Sequence, residues 1–222
     1  MLKEIWTLVK KEMLIELRMQ YALSGMILYL VSSIFLGYIT FNLGRASINP
    51  ATWNVLFWII MLFVATNSIA KSFIQESKER LLYYYTISNP LSIIISKLIF
   101  NSILMLFLVA VGFIVYILLL GNPVADMALF IVSLLLSSIG FSVTFTMISS
   151  IASKASNSGT LMAILGFPII IPMLLLLIKI SRNAIDGLER STSFDEITTI
   201  SAIIIIAIST SILLFPYLWR SN

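Results

Sequence analysis

Cysteine and histidine are both missing from this 222-residue chain. Their absence removes disulfides, thiol chemistry and the commonest ligands of transition metals. It also removes the two most familiar protein ligands of haem iron. Ten methionines remain, but thioethers in apolar helices chiefly serve packing. Charge is scarce too: Asp, Glu, Lys and Arg make up 11% of the chain, against roughly 25% in soluble domains. No GxxxxGK[ST] phosphate loop occurs, so no nucleotide-binding motif of that kind is present.

What fills the sequence is apolar. The hydrophobic fraction is 59% and the mean hydropathy +1.05. Six runs carry no charge in their interiors: Tyr21–Phe41, Ala51–Ala70, Leu98–Leu120, Met127–Ile151, Leu161–Ile178 and Ile197–Leu218. Each is about 18 residues or longer, enough to cross a hydrocarbon core. A soluble helix needs a polar face, and these have none. The reading is an all-α integral membrane protein of six transmembrane helices. Spans and connections nearly use up the chain, which leaves no separate soluble domain. Ionisable groups deep in a span mark proton relays and ion pumps, and the runs hold none. Nor do they offer an acid, base or activated nucleophile for an intramembrane enzyme. The net charge of +4 reflects topology, not nucleic-acid binding. Loop lengths differ between the two halves, which speaks against an inverted-repeat transporter.

Residues 1–19 read as an amphipathic interfacial helix ahead of a six-helix permease domain, 20–222. Leu2, Ile5, Trp6, Val9, Met13 and Leu17 recur at spacings of three and four, with Lys3, Lys10, Lys11 and Arg18 off that stripe. Such a segment lies in the interface, its basic groups toward lipid phosphates. Its charges, and the long apolar run behind it, do not resemble a cleaved signal peptide. Glu16 falls on the apolar stripe, either snorkelling at the helix end or pairing with a neighbouring subunit.

An even number of spans puts both termini on one side. That side holds Lys3, Lys10, Lys11, Arg18, Lys71, Lys78, Arg80, Lys97, Lys154 and Arg220; the other holds Arg45, Lys179, Arg182 and Arg190. The excess places both termini in the cytoplasm. On the outer side, Asn42–Pro50 and Gly121–Asp126 read as short turns. Lys179–Glu196 is longer, mixed in charge and able to hold a short amphipathic helix.

The longest polar stretch on the inner side is Lys71–Pro90, between spans two and three. Glu76 and Arg80 stand at i, i+4 and can pair on a helix. Leu81, Leu82, Tyr83, Tyr84 and Tyr85 suit the interface, and Pro90 ends the segment with an extended Asn89. The residues fit a solvated loop with interfacial anchors and equally a docking surface for a cytoplasmic partner. Span four is rich in small and hydroxylated side chains, among them Ser133 and Ser137, which permit close helix approach. Span five carries Pro168 and Pro172, each removing a backbone donor. A hinge and a shaped packing surface both fit that pair.

An interfacial first helix, six spans and a polar loop after span two resemble the permeases of type-2 ABC exporters. More narrowly, the chain resembles CcmB, the haem-exporter-B-like permease family of cytochrome c maturation. In the loop, Phe73, Glu76, Leu81, Pro90 and Lys97 follow the family's Phe…Asp…Leu…Pro…Lys pattern. In span five, the stretch from Gly159 to Pro172 resembles the family's leucine-rich segment ending in two prolines. Where the family loop carries a glycine and a Leu-Glu pair, this chain has Arg80-Leu81-Leu82 and three tyrosines. The resemblance implies a non-catalytic, half-size permease of the bacterial inner membrane, paired with a second copy of itself. It further implies a separate CcmA-like ATPase that carries ATP and Mg, and other membrane subunits that handle haem. The complex would load haem onto a periplasmic chaperone or release the loaded chaperone. On this resemblance the ATPase-coupling loop comprises Phe73, Glu76, Lys78, Glu79, Arg80, Leu81, Tyr83, Tyr84, Tyr85 and Pro90. The residues themselves leave open a general type-2 exporter of a lipid, drug or glycan, and an ATP-independent scaffold.

The absence of histidine and cysteine generates one prediction. The purified chain, without partners, shows no Soret band after haem addition and desalting. A stoichiometric band that disappears on substitution of one methionine would overturn it.

Overall fold

The computed structural model describes residues 1–18, 20–43, 48–69, 73, 89–153 and 158–220. Among them lie seven α-helices and no strand. The first, α1, spans Leu2–Arg18. The six that follow are α2 (Gln20–Leu43), α3 (Pro50–Ser68), α4 (Pro90–Leu120), α5 (Met127–Ala152), α6 (Ser158–Asp186) and α7 (Phe194–Arg220). All six are long and apolar enough to cross a membrane.

The local chemistry explains where these helices begin. Both α3 and α4 open on an Asn-Pro pair. Asn49 and Asn89 are extended, and their side chains accept from the backbone N–H of Ala51 and Leu91. Proline then occupies the first turn, where its missing donor costs nothing. Pro90 therefore starts a span helix. Helix α5 opens on Asp126, whose Oδ1 accepts from Ala128 and Leu129 at 3.0 and 3.2 Å. At the other end of α6, Gly187 adopts φ +67, a left-handed turn open to glycine.

Several helices outrun the apolar stretches that announce them. Helix α4 starts eight residues before Leu98, so Lys97 lies two turns inside a helix rather than in a loop. Helix α6 continues through Lys179 and Arg182 to Asp186. What reads as a long outer loop is thus mostly helix, joined to α7 by Gly187–Glu189 and a short 3-10 turn, Arg190–Ser193. Hydrophobicity reports the hydrocarbon boundary, whereas helices run on into the polar interface.

Helix α5 is the axis of the bundle, packing against α3, α4, α6 and α7. Its hydroxyls turn inward: Ser133, Ser137, Ser138, Ser142, Thr146, Ser149 and Ser150 are all buried. Most bond back to their own helix, as Ser137 does to the Leu134 carbonyl at 2.8 Å. Two reach across to α4. Asn101 donates to Thr146 at 2.7 Å, and Ser102 and Ser142 lie 2.6 Å apart. Pro168 and Pro172 sit within α6, which remains helical through both. Both rings are exposed on its surface.

Gly140 marks a tight crossing. A Cβ there would lie 2.8 Å from Met173 Sδ and 3.5 Å from Ile204, where α6 and α7 converge on α5. At Gly25 a Cβ would meet nothing within 4 Å. Gly140→Leu is therefore expected to destabilise by about 1–3 kcal/mol through overpacking. Gly25→Leu should be neutral. Thermal unfolding of the two variants in the same detergent checks the contrast, and equal effects would refute this view of the crossing.

Candidate functional site

At the end of the bundle that holds the termini, the first helix joins the packing. Helix α1 packs along the start of α4. Ile5 and Val9 are buried there, while Leu2, Trp6, Met13, Leu14 and Leu17 stay exposed. The apolar stripe of α1 is thus divided, one part serving the bundle and the rest facing outward. Lys10 lies over the outward Trp6 ring, 5.7 Å from its centroid.

Helix α1 carries three carboxylates, and two of them meet α4. Glu4 Oε1 accepts from the Asn89 backbone N–H at 3.0 Å, and Oε2 from the Ser92 hydroxyl at 2.9 Å. An anionic side chain is thereby set at the N-terminus of α4, where the helix dipole favours it. Two turns on, Glu12 lies 3.7 Å from the Lys97 ammonium and 2.9 Å from Lys11. The third is Glu16, whose Oε1 is buried without a hydrogen-bond partner among the described residues. Burial, and then the Glu12 charge, hold its carboxyl above the ordinary carboxylate range. Glu16 lies one turn beyond Glu12 and is half-buried.

Phe73 ties this end together. It is buried, 3% exposed. Its backbone N–H donates to Ser149 Oγ of α5 at 3.1 Å. Its ring lies under the Lys97 ammonium, 4.8 Å from ammonium to centroid, close enough for a cation–π attraction. On another side it meets Phe215 of α7, with ring centroids 5.4 Å apart. One residue therefore touches α4, α5 and α7, and through Lys97 it reaches α1. Phe73 and Lys97, far apart in sequence, meet in space. Pro90 stands at the first position of α4. Glu76, Lys78, Glu79, Arg80, Leu81, Tyr83, Tyr84 and Tyr85 lie outside the described residues.

The far end is built differently. Trp53, Phe57, Phe113, Tyr116 and Phe130 form an aromatic cluster, with Phe113 and Phe130 centroids 4.9 Å apart. Tyr116 donates to the Trp53 carbonyl at 2.8 Å. Trp58 donates to Ser181 Oγ, and Ser181 to Asn54 Oδ1, both at 2.7 Å, pinning α3 to α6. At the rim, Arg190 grips Asp126 at 2.6 and 3.1 Å. That hydrogen bond first, helped by the Leu129 N–H, holds the Asp126 carboxyl below its usual range. Among the described residues, no group of acidic side chains is placed to hold a metal ion.

These features accord with one family. The family model of the CcmB protein matches residues 3–216, nearly the whole chain. The chain belongs to the CcmB family. Comparison with curated proteins and with solved structures gives no significant match. The CcmB family is that of the haem-export permease of cytochrome c maturation, so this chain is a multi-pass membrane component of that transport system. Of the sequence-derived site residues, Phe73 enters the cluster and Pro90 borders it. Glu12, Ser149 and Phe215 join without having been singled out. Glu12 could have been found from its angle, since it lies near Glu16 on the inward face of α1.

Two substitutions separate the ring of Phe73 from its backbone bond. Phe73→Ala is expected to cost about 3 kcal/mol or more, as truncation of a buried aromatic does. Ser149→Ala removes one hydrogen bond and should cost about 1 kcal/mol. Chemical denaturation in detergent measures both. Equal losses would mean that the hydrogen bond, not the ring packing, is the anchor.

Proposed function

We propose that this CcmB-family chain is the half-size permease of an ABC exporter in the bacterial inner membrane. It pairs with a second copy of itself and with a separate CcmA-like ATPase, and both termini are cytoplasmic. ATP and Mg belong to the ATPase. Other membrane subunits handle haem, the cargo, and the cycle ends in loading or release of a periplasmic haem chaperone. The chain's own part is mechanical: it converts movement at its cytoplasmic end into movement of its spans.

The observation that carries this reading is the seating of Phe73. A connection that merely bridged two spans would have little reason to bury its entrance against three helices at once. Here the segment that leaves α3 is fixed at residue 73 to α4, α5 and α7. A force applied to the connection beyond it would reach most of the bundle through packed side chains. Family membership favours haem export over a lipid, drug or glycan exporter, and coupling over a passive scaffold. The excess of basic residues at the same end supports its cytoplasmic orientation.

The docking segment of this reading is Glu76–Pro90, which combines charge with apolar and aromatic residues. Tyrosine and arginine are enriched among interface anchors. Tyr83→Ala and Tyr84→Ala should each weaken ATPase association by roughly 1–3 kcal/mol where the residue is an anchor. Arg80→Glu should do the same against an acidic surface. Co-purification of the ATPase at equal expression, with its activity in the complex, decides the matter. Full association and activity in all three variants would move the docking assignment to the Lys3–Arg18 helix.

A further inference from the structure

The Glu12–Lys97 pair is loosely made. At 3.7 Å it is longer than a well-formed charge-assisted bond of roughly 2.7–2.9 Å. Glu12 is also shared with Lys11, which lies closer. One helical turn beyond, Glu16 presents a second carboxylate on the same face. Its Oε1 is buried and unpaired among the described residues, which leaves its desolvation uncompensated. Lys97 is itself buried, 5% exposed. The start of α4 therefore holds one buried cation, paired with Glu12, and α1 carries a second carboxylate one turn further on.

Part of the α1 face repeats every four residues. If α1 moved one turn along α4, Glu16 would take the place of Glu12. Val9 would take the place of Ile5, and Met13 that of Val9. At these places apolar replaces apolar and acid replaces acid. Two places differ: Leu8 would replace Glu4 and leave the Asn89 N–H and the Ser92 hydroxyl to water, and Glu12 would enter the place of Leu8, which packs against the core. Glu4 thus favours the observed register and the unpaired Glu16 favours the other. Packed elements with two such discrete arrangements act as switches, because they do not deform continuously.

We propose that α1 has two registers on α4, one turn apart, and that Lys97 exchanges Glu12 for Glu16 between them. The exchange is a property of this chain alone. Its use rests on the coupling reading above. Phe73 covers the Lys97 ammonium, so displacement of the connection behind Phe73 by a docked ATPase would uncover the cation and free it to change partner. Helix α1 then moves with the ATPase cycle, although it is separated from the docking segment in sequence.

The chain has no cysteine, so two introduced thiols carry spin labels without background. Thr7→Cys labels the exposed side of α1, and Leu188→Cys labels the opposite end of the bundle. Glu4 lies opposite the start of α4 and Glu12 opposite Lys97, so α1 advances toward Leu188 as its residue numbers rise. Bringing Glu16 to Lys97 draws it back, by up to about 5 Å for one turn. Pulsed dipolar spectroscopy on the labelled chain should show one dominant distance. Glu12→Gln should shift most of the population to a longer one, and Glu4→Gln should do the same by releasing the other tether. Adding Glu16→Leu to either variant should restore the shorter distance. Unchanged distances in both single variants, in protein that remains monodisperse, would overturn the proposal. So would a longer distance that persists without Glu16, since that is mere loosening. A second arm adds the ATPase and a non-hydrolysable ATP analogue. Nucleotide should raise the longer-distance population at least several-fold. Failure of the ATPase to bind counts against the coupling reading, while the first arm decides the register exchange by itself.

Discussion

Hydrocarbon offers no hydrogen bonds, and this constraint governs where every polar group in the bundle goes. Helix α5 shows the consequence. It carries a row of serines and threonines through the middle of the protein, yet its hydroxyls are mostly satisfied by carbonyls of their own helix. Such side chains are small, so α5 can be approached closely from several directions. It becomes the axis because it is the helix with the least bulk and the most self-contained polarity. The few bonds that leave it, from Thr146 and Ser142 to α4 and from Ser149 to Phe73, fix neighbours in register.

The two ends of the bundle obey the same constraint by different means. At the end far from the termini, aromatic rings fill the volume and their polar tips find carbonyls or a serine, as with Tyr116 and Trp58. The result is a rigid pin between α3 and its neighbours. At the end that holds the termini, charged groups enter the packing: Glu4 makes two well-formed bonds, whereas the Glu12–Lys97 contact is long and shared. Buried ion pairs contribute little net stability compared with apolar packing, and their best-attested role is to set register. A stiff far end and a polar, less committed end at the termini suit the coupling role proposed above.

Much of this was legible in the sequence. Six uncharged runs fix the number of spans, because no other structure accommodates them. Phe73 and Lys97 could be matched to a family pattern, but not to each other, because a contact across a turn of chain leaves no periodic trace. The helix ends were harder. Pro90 reads as a break when only the loop is considered, and becomes a start once Asn89 is seen as its cap. Lys179 and Arg182 read as loop because charge was taken to end a helix, whereas it ends only the hydrocarbon part. The divided face of α1 was hidden for a related reason. A single stripe predicts burial against one medium, and α1 has two flanks, one packed on the bundle and one exposed.

The Glu4 tether has a consequence for how the protein is made. Its partners, Asn89 and Ser92, are 85 and 88 residues away in the chain. At roughly 5–20 residues per second, the ribosome needs about 4 to 18 seconds to synthesise that interval. During that time α1 has no α4 to pack against, and Ile5 and Val9 must be shielded by something else. The exposed Trp6, Leu14 and Leu17 add an apolar flank that also lacks cover through that interval. Helix α1 therefore reaches its observed packing only after the third span has been made, although it precedes all three in the chain.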